Sequence, residues 1–191
     1  MKKTILSVAI LVASLTSLKA QNVDIIPKVG INIGTQSVSS LSGEKSKTGF
    51  SGGVAFDIRS QRSQFSFQPE LNFVSKGIRF KNDNVTTSYN FNYIEMPLLA
   101  KYRFDILYVA AGPSLGFQLN GSNRFSALYG SKPKTVDIGL QFGVGAAIPM
   151  AYGKFILDAR YALGLTDISK GAGTVRNRGL NITLGYAIPL K

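Results

Sequence analysis

The sequence predicts an all-β fold, an eight-stranded antiparallel up-and-down transmembrane β-barrel, and three observations carry that prediction. Apolar residues recur with period two along most of the chain. The alternating segments run to about 10 to 13 residues, longer than the strands of most soluble sheets and matched to a tilted bilayer crossing. The connections alternate long and short, as they do where periplasmic turns oppose surface loops.

The first two segments, 27–36 and 48–58, alternate weakly. In the third, Phe65, Phe67, Leu71 and Phe73 oppose Ser66, Gln68, Glu70 and Asn72, and in the fourth Ile94, Met96, Leu98, Ala100, Tyr102 and Phe104 oppose Glu95, Pro97, Leu99, Lys101 and Arg103. The fifth, 107–119, sets Leu107, Val109, Leu115 and Phe117 against Tyr108, Ala110, Ser114 and Gln118. The sixth, 136–148, sets Val136, Ile138, Leu140 and Phe142 against a face of Asp137, Gln141 and glycines. The seventh opposes Phe155, Leu157, Tyr161 and Leu163 to Lys154, Asp158 and Arg160, and the eighth opposes Leu180, Ile182, Leu184, Tyr186, Ile188 and Leu190 to Asn181, Thr183 and Gly185. Between them lie long links at 37–47, 77–92, 120–135 and 167–177, and short ones at 59–63, around Asp105 and at 149–153.

Periodicity alone leaves open which face meets solvent. The second face is small, rich in glycine and carries few charges, unlike a water-facing surface, so it is assigned to the lumen and the apolar face to lipid. Eight strands enclose an interior that side chains just fill, and buried charges there need partners. Asp57, Glu70, Glu95 and Asp158 with Lys101, Arg103 and Arg160 are therefore expected to form an internal ion-pair network that plugs the lumen. Two aromatic girdles are expected, with Phe56, Phe65, Phe104, Phe155 and Tyr186 toward one rim and Phe80, Phe91, Tyr93 and Phe117 toward the other.

Residues 1–20 read as a secretory leader: Lys2 and Lys3 precede an apolar run from Ile5 to Leu18, and Ala20/Gln21 is the expected cleavage point. The barrel domain is then 21–191. The full chain carries 22 Lys and Arg against 10 Asp and Glu, net +12; without Lys2, Lys3 and Lys19 the net charge is +9. The basic residues are spread rather than striped, which argues against nucleic acid. Cysteine and histidine are both absent. That excludes disulfides, thiolate and imidazole metal sites, and triads that depend on histidine.

Other motifs carry less. Gly143-Val144-Gly145 lacks the third glycine and the strand-to-helix setting of a nucleotide loop. The two Asn-x-Thr sequons at Asn84 and Asn181 are coincidental in a bacterial-type export context. Glu70 and Glu95 as an acid–base pair are outweighed by ion pairing with the basic residues on their face. The loop cations Lys45, Lys47, Arg79, Lys81, Arg124, Lys132, Lys134, Lys170 and Arg176, in the long links, are candidates for contact with outer-leaflet lipid phosphates.

Four blocks, Phe67-Gln68-Pro69-Glu70-Leu71, Tyr93-Ile94-Glu95-Met96-Pro97-Leu98-Leu99, Ala111-Gly112-Pro113-Ser114-Leu115-Gly116 and Asp158-Ala159-Arg160-Tyr161-Ala162-Leu163-Gly164-Leu165, resemble the PorT-like family of outer-membrane barrel proteins. The resemblance spans essentially all of 21–191 and implies an eight-stranded barrel in the outer membrane of a Gram-negative cell. It also implies a link to protein secretion, the role of the member that names the family. The resulting expectation is a non-enzymatic integral barrel with a packed lumen. It would serve a structural, adhesive or secretion-accessory role through its surface loops, as a monomer without cofactor or metal. Expected partners are outer-membrane lipids, including lipopolysaccharide, and other envelope or secretion proteins, with no nucleic acid. The competing readings are a small-solute channel, a membrane-embedded enzyme and a soluble periplasmic lipocalin-like binding barrel.

Overall fold

The computed structural model describes residues 21–38, 45–60, 62–82, 85–120, 135–167 and 175–190; the expected leader lies outside them. Eight strands follow in order: β1 (Gln21–Val38), β2 (Lys45–Ser60), β3 (Phe65–Asn82), β4 (Val85–Phe104), β5 (Leu107–Asn120), β6 (Val136–Met150), β7 (Gly153–Gly164) and β8 (Val175–Leu190). Each pairs antiparallel with its neighbours in sequence, and β1 pairs with β8, so the sheet closes and no edge is left. No helix among the described residues is long and apolar enough to cross a membrane; the crossing elements are the strands.

Period two sorts the side chains as lipid requires. Phe65, Phe67, Val109, Leu140, Val144, Leu157 and Leu184 are exposed on the outer wall. Among the described residues the buried set holds 20 polar or charged residues against 12 apolar ones, the inverse of a water-soluble core. A continuous exposed apolar wall of this extent is stable only against lipid. The soluble lipocalin-like reading fails on this point.

Seven strands run to or beyond their expected bounds, while β7 stops at Gly164, one residue short of the alternation that reached Leu165; three expectations are corrected. The 77–92 link is a hairpin: Arg79 and Lys81 lie in β3, paired with Ser88 and Thr86, and only 83–84 separate the strands. Its polar composition suggested a loop, but the β3–β4 ladder continues in register from Val74 opposite Tyr93 to Asn82 opposite Val85. Lys45 and Lys47 likewise lie in β2 rather than in a link, and Arg176 lies in β8. In the upper girdle, Phe91 and Tyr93 are fully buried inside the barrel, because they share the parity of Glu95.

The short turns sit at one end with the start of β1 and the end of β8. Between β4 and β5, Asp105 takes φ 57°, a left-handed conformation that Asp tolerates, and so closes a two-residue turn. Between β2 and β3 the Ser63 amide donates to the Ser60 carbonyl at 3.1 Å and the Tyr102 hydroxyl donates to Gln64 Oε1 at 2.5 Å. Beside it, Phe65 and Tyr102 stack with ring centroids 4.7 Å apart, part of an aromatic belt completed by Phe56, Phe104, Tyr152 and Tyr186.

Candidate functional site in the barrel lumen

The inward parity of β1, β2, β3, β4, β6 and β7 brings charged side chains from distant parts of the chain to one axis. At mid-lumen Glu70 accepts from Gln68 Nε2 at 2.6 Å, Asn72 Nδ2 at 2.8 Å and Arg160 Nη1 at 2.7 Å, and it also pairs with Lys28. Arg160 forks, its second nitrogen donating to Asp158 Oδ2 at 2.8 Å. Asp158 accepts in turn from the Tyr108 hydroxyl at 2.6 Å. This forked arrangement suits a planar guanidinium and would not suit lysine.

A second cluster lies toward the end of the barrel that carries the short turns. Lys101 donates to Asp57 at 3.0 Å and to Gln68 Oε1 at 2.9 Å, with its ammonium 3.9 Å from the Tyr108 ring centre, and Arg103 reaches the same Asp57 oxygen at 2.9 Å. Lys154 donates to Asp24 at 2.7 Å. A third cluster occupies the other half. There Lys76 pairs with Glu95 at 2.5 Å and lies 3.8 Å from Asp137, while Gln141 donates to Glu95 at 3.0 Å and Asn177 to Asp137 at 2.8 Å.

All seven residues read from the sequence as lumen charges are thus inside, each in an ion pair. Lys28, Lys76, Asp24, Asp137 and Lys154 join them, and sequence reasoning did not select these five as network members. Asp137 and Lys154 already stood on the correct face in the alternation, Lys76 shares the parity of Glu70, and Lys28 stands opposite Val29 and Ile31 in the 27–36 segment, so a uniform parity rule would have found four of them. Lys47 is half-buried in β2 opposite Gly34. Lys132 and Lys134, and the side chains of Lys45, Arg79 and Lys81, lie outside what is described.

The network holds six cations and six carboxylates, so it is neutral as a whole. An apolar layer of Ile26, Ala55, Leu99, Tyr108, Ala110, Ala147, Ile156 and Ala187 fills the lumen beside it. Two internal cavities described among these groups measure only about 10 Å³ each, the size of a single water. The larger hollows, about 610 and 360 Å³, open on the outer wall, beside Phe50, Gly52 and Tyr186 and beside Ala100, Ala111 and Phe142. Among the described residues no group of three or more acidic, His or Cys side chains is placed to hold a metal. In planar bilayers the purified barrel is therefore expected to show no stable open conductance. Steady unitary steps in neutral lipid would show that the lumen opens.

A closed, antiparallel, eight-stranded barrel with an apolar outer wall and an ion-paired interior defines an integral β-barrel membrane protein. The chain belongs to the outer membrane protein beta-barrel domain family, which matches residues 19–170, and its location is the outer membrane. The structure is similar to Ail, the attachment invasion locus protein of Yersinia pestis, in complex with the heparin analogue sucrose octasulfate. That match has 16% identity and a TM-score of 0.50, covering 88% of this chain and 99% of that one. A second Ail crystal structure gives 15% identity and a TM-score of 0.50, with 87% and 98% covered. Neisserial surface protein A (NspA) gives 19% identity and a TM-score of 0.46, with 85% and 96% covered. At these identities the likeness concerns the fold. Among curated proteins none matches the chain.

Proposed function

We propose that this barrel is a non-enzymatic, monomeric surface protein that adheres to polyanionic surfaces through the end carrying its longer connections. What supports this reading is the partition of charge. The lumen network is neutral, so the excess of nine positive charges counted from Gln21 lies entirely outside it. Lys45, Lys47, Arg79, Lys81, Arg124, Lys132, Lys134, Lys170, Arg176 and Arg178 belong to the strand ends and connections of one end, against Arg59 and Arg62 in the 59–63 region and Lys191, after β8 in sequence, for the other. A one-ended basic surface attracts polyanions in a salt-dependent way. Outer-membrane barrels place their longer connections outside the cell, which orients this end outward.

In this reading residues 1–20 are removed on export, and the protein belongs to the PorT-like branch on the four sequence blocks that begin at Phe67, Tyr93, Ala111 and Asp158. A secretion-accessory role through the same surface is the alternative the resemblance supplies. The heparin analogue bound to Ail suggests a probe: cells displaying this protein are expected to be retained on heparin-coated surfaces and released as salt rises, with no retention on uncharged dextran. Equal retention on both surfaces, or none on either, would sink the adhesive reading.

A further inference from the structure

On its outward register β8 carries an apolar stripe from Leu180 to Leu190, through Ile182, Leu184, Tyr186 and Ile188. These ten residues of rise, at about 3.3 Å each and a tilt near 40°, climb about 25 Å along the barrel axis, the height of the apolar band of such barrels. The next two outward positions are Arg178 and Arg176, and both are exposed. By the same rise Arg178 stands about 5 Å beyond the hydrocarbon edge and Arg176 about 10 Å, in the headgroup layer. Residues two apart on a strand point the same way about 7 Å apart, so both guanidiniums face the membrane rather than the lumen.

Neither arginine has an ion pair or hydrogen bond with a described residue. Asp167, just past the end of β7, is the only carboxylate among the described residues outside the lumen at this end, and it has an interaction of its own. This contrasts with the lumen, where every ion-paired cation has its carboxylate within the chain. The geometry points to a phosphate site on the outer wall, where Arg176 and Arg178 grip the phosphates of an outer-leaflet glycolipid of the lipid A type. Arginine suits this better than lysine, because its planar fork matches two phosphate oxygens at once.

The site rests on the outward orientation proposed above, but it faces laterally and needs no adhesive partner. Its test can therefore fail while adhesion survives, and the reverse. The full chain would be placed in phosphatidylcholine nanodiscs and titrated with diphosphoryl lipid A, with lipid A stripped of both phosphates, and with phosphatidylglycerol. Wild type is expected to bind diphosphoryl lipid A on the order of tenfold more tightly than Arg176→Gln/Arg178→Gln. Arg62→Gln, at the opposite end, should bind as wild type, and heat-modified gel migration confirms that each variant is folded. Equal binding by wild type and the double variant overturns the site, as does binding indifferent to the phosphates. Equal affinity for phosphatidylglycerol overturns the assignment to glycolipid.

Discussion

Replacing Glu70 by leucine is expected to destabilise the barrel by about 3–5 kcal/mol, the range for breaking a buried ion pair from one side. Glu70 accepts from Lys28, Gln68, Asn72 and Arg160, so four donors lose their acceptor together. Arg160 retains Asp158, but Lys28 is left without a carboxylate in its reach. The cost arises from the stranded cation more than from the lost attraction. Combining Glu70→Leu with Lys28→Met should therefore recover a substantial part of the loss, since an apolar pair of similar volume often substitutes for a buried ion pair. The measurement is the urea midpoint for refolding into lipid vesicles, followed by heat-modified migration. A Glu70→Leu midpoint within about 0.5 kcal/mol of wild type would mean that the network adds no stability.

Much of this arrangement was legible in the sequence, and the limits of that legibility are physical. Alternation identifies a face, so the inward positions of Glu95, Lys101, Asp158 and Arg160 followed from the parity of β4 and β7. It does not identify partners. Glu70 meets Arg160 across 90 residues of sequence and Lys28 across 42, and Lys154 meets Asp24 across 130. Those pairings depend on the shear with which the barrel closes.

Strand ends were harder to read than strand centres. Near the start of β1, Asp24 and Ile26 share the inward face, so the alternation of apolar and polar residues that marks a strand is lost there. At the far end of β3 and β4 the polar composition of the sequence concealed the pairing. The misplacement of Phe91 and Tyr93 has a different origin. Aromatic residues near a strand end suggest a girdle, yet the period that sends Glu95 inward sends these two inward as well. There the Tyr93 ring centre lies 4.9 Å from the Lys76 ammonium.

The glycines of the lumen face were expected to relieve crowding, and Gly145 shows how little room they leave. A Cβ at this position would stand 2.3 Å from Cζ and the hydroxyl oxygen of Tyr108, and 2.6 Å from the Leu157 carbonyl oxygen. The Tyr108 ring cannot simply swing aside, because its hydroxyl is bound to Asp158 and its face carries Lys101. Gly145→Val is therefore expected to lower stability by about 2–5 kcal/mol, combining overpacking with the loss of the Tyr108 hydroxyl as a donor to Asp158, which keeps Arg160. Tyr108→Ala alone should be comparably costly, since it empties a large buried site. If the two residues collide in this way, their effects are strongly non-additive. Adding Gly145→Val to Tyr108→Ala should then cost less than half of what it costs in wild type, the remainder coming from the Leu157 carbonyl. Unfolding midpoints of the four proteins decide the matter: strict additivity would show that Gly145 is there for some reason other than the ring that lies against it.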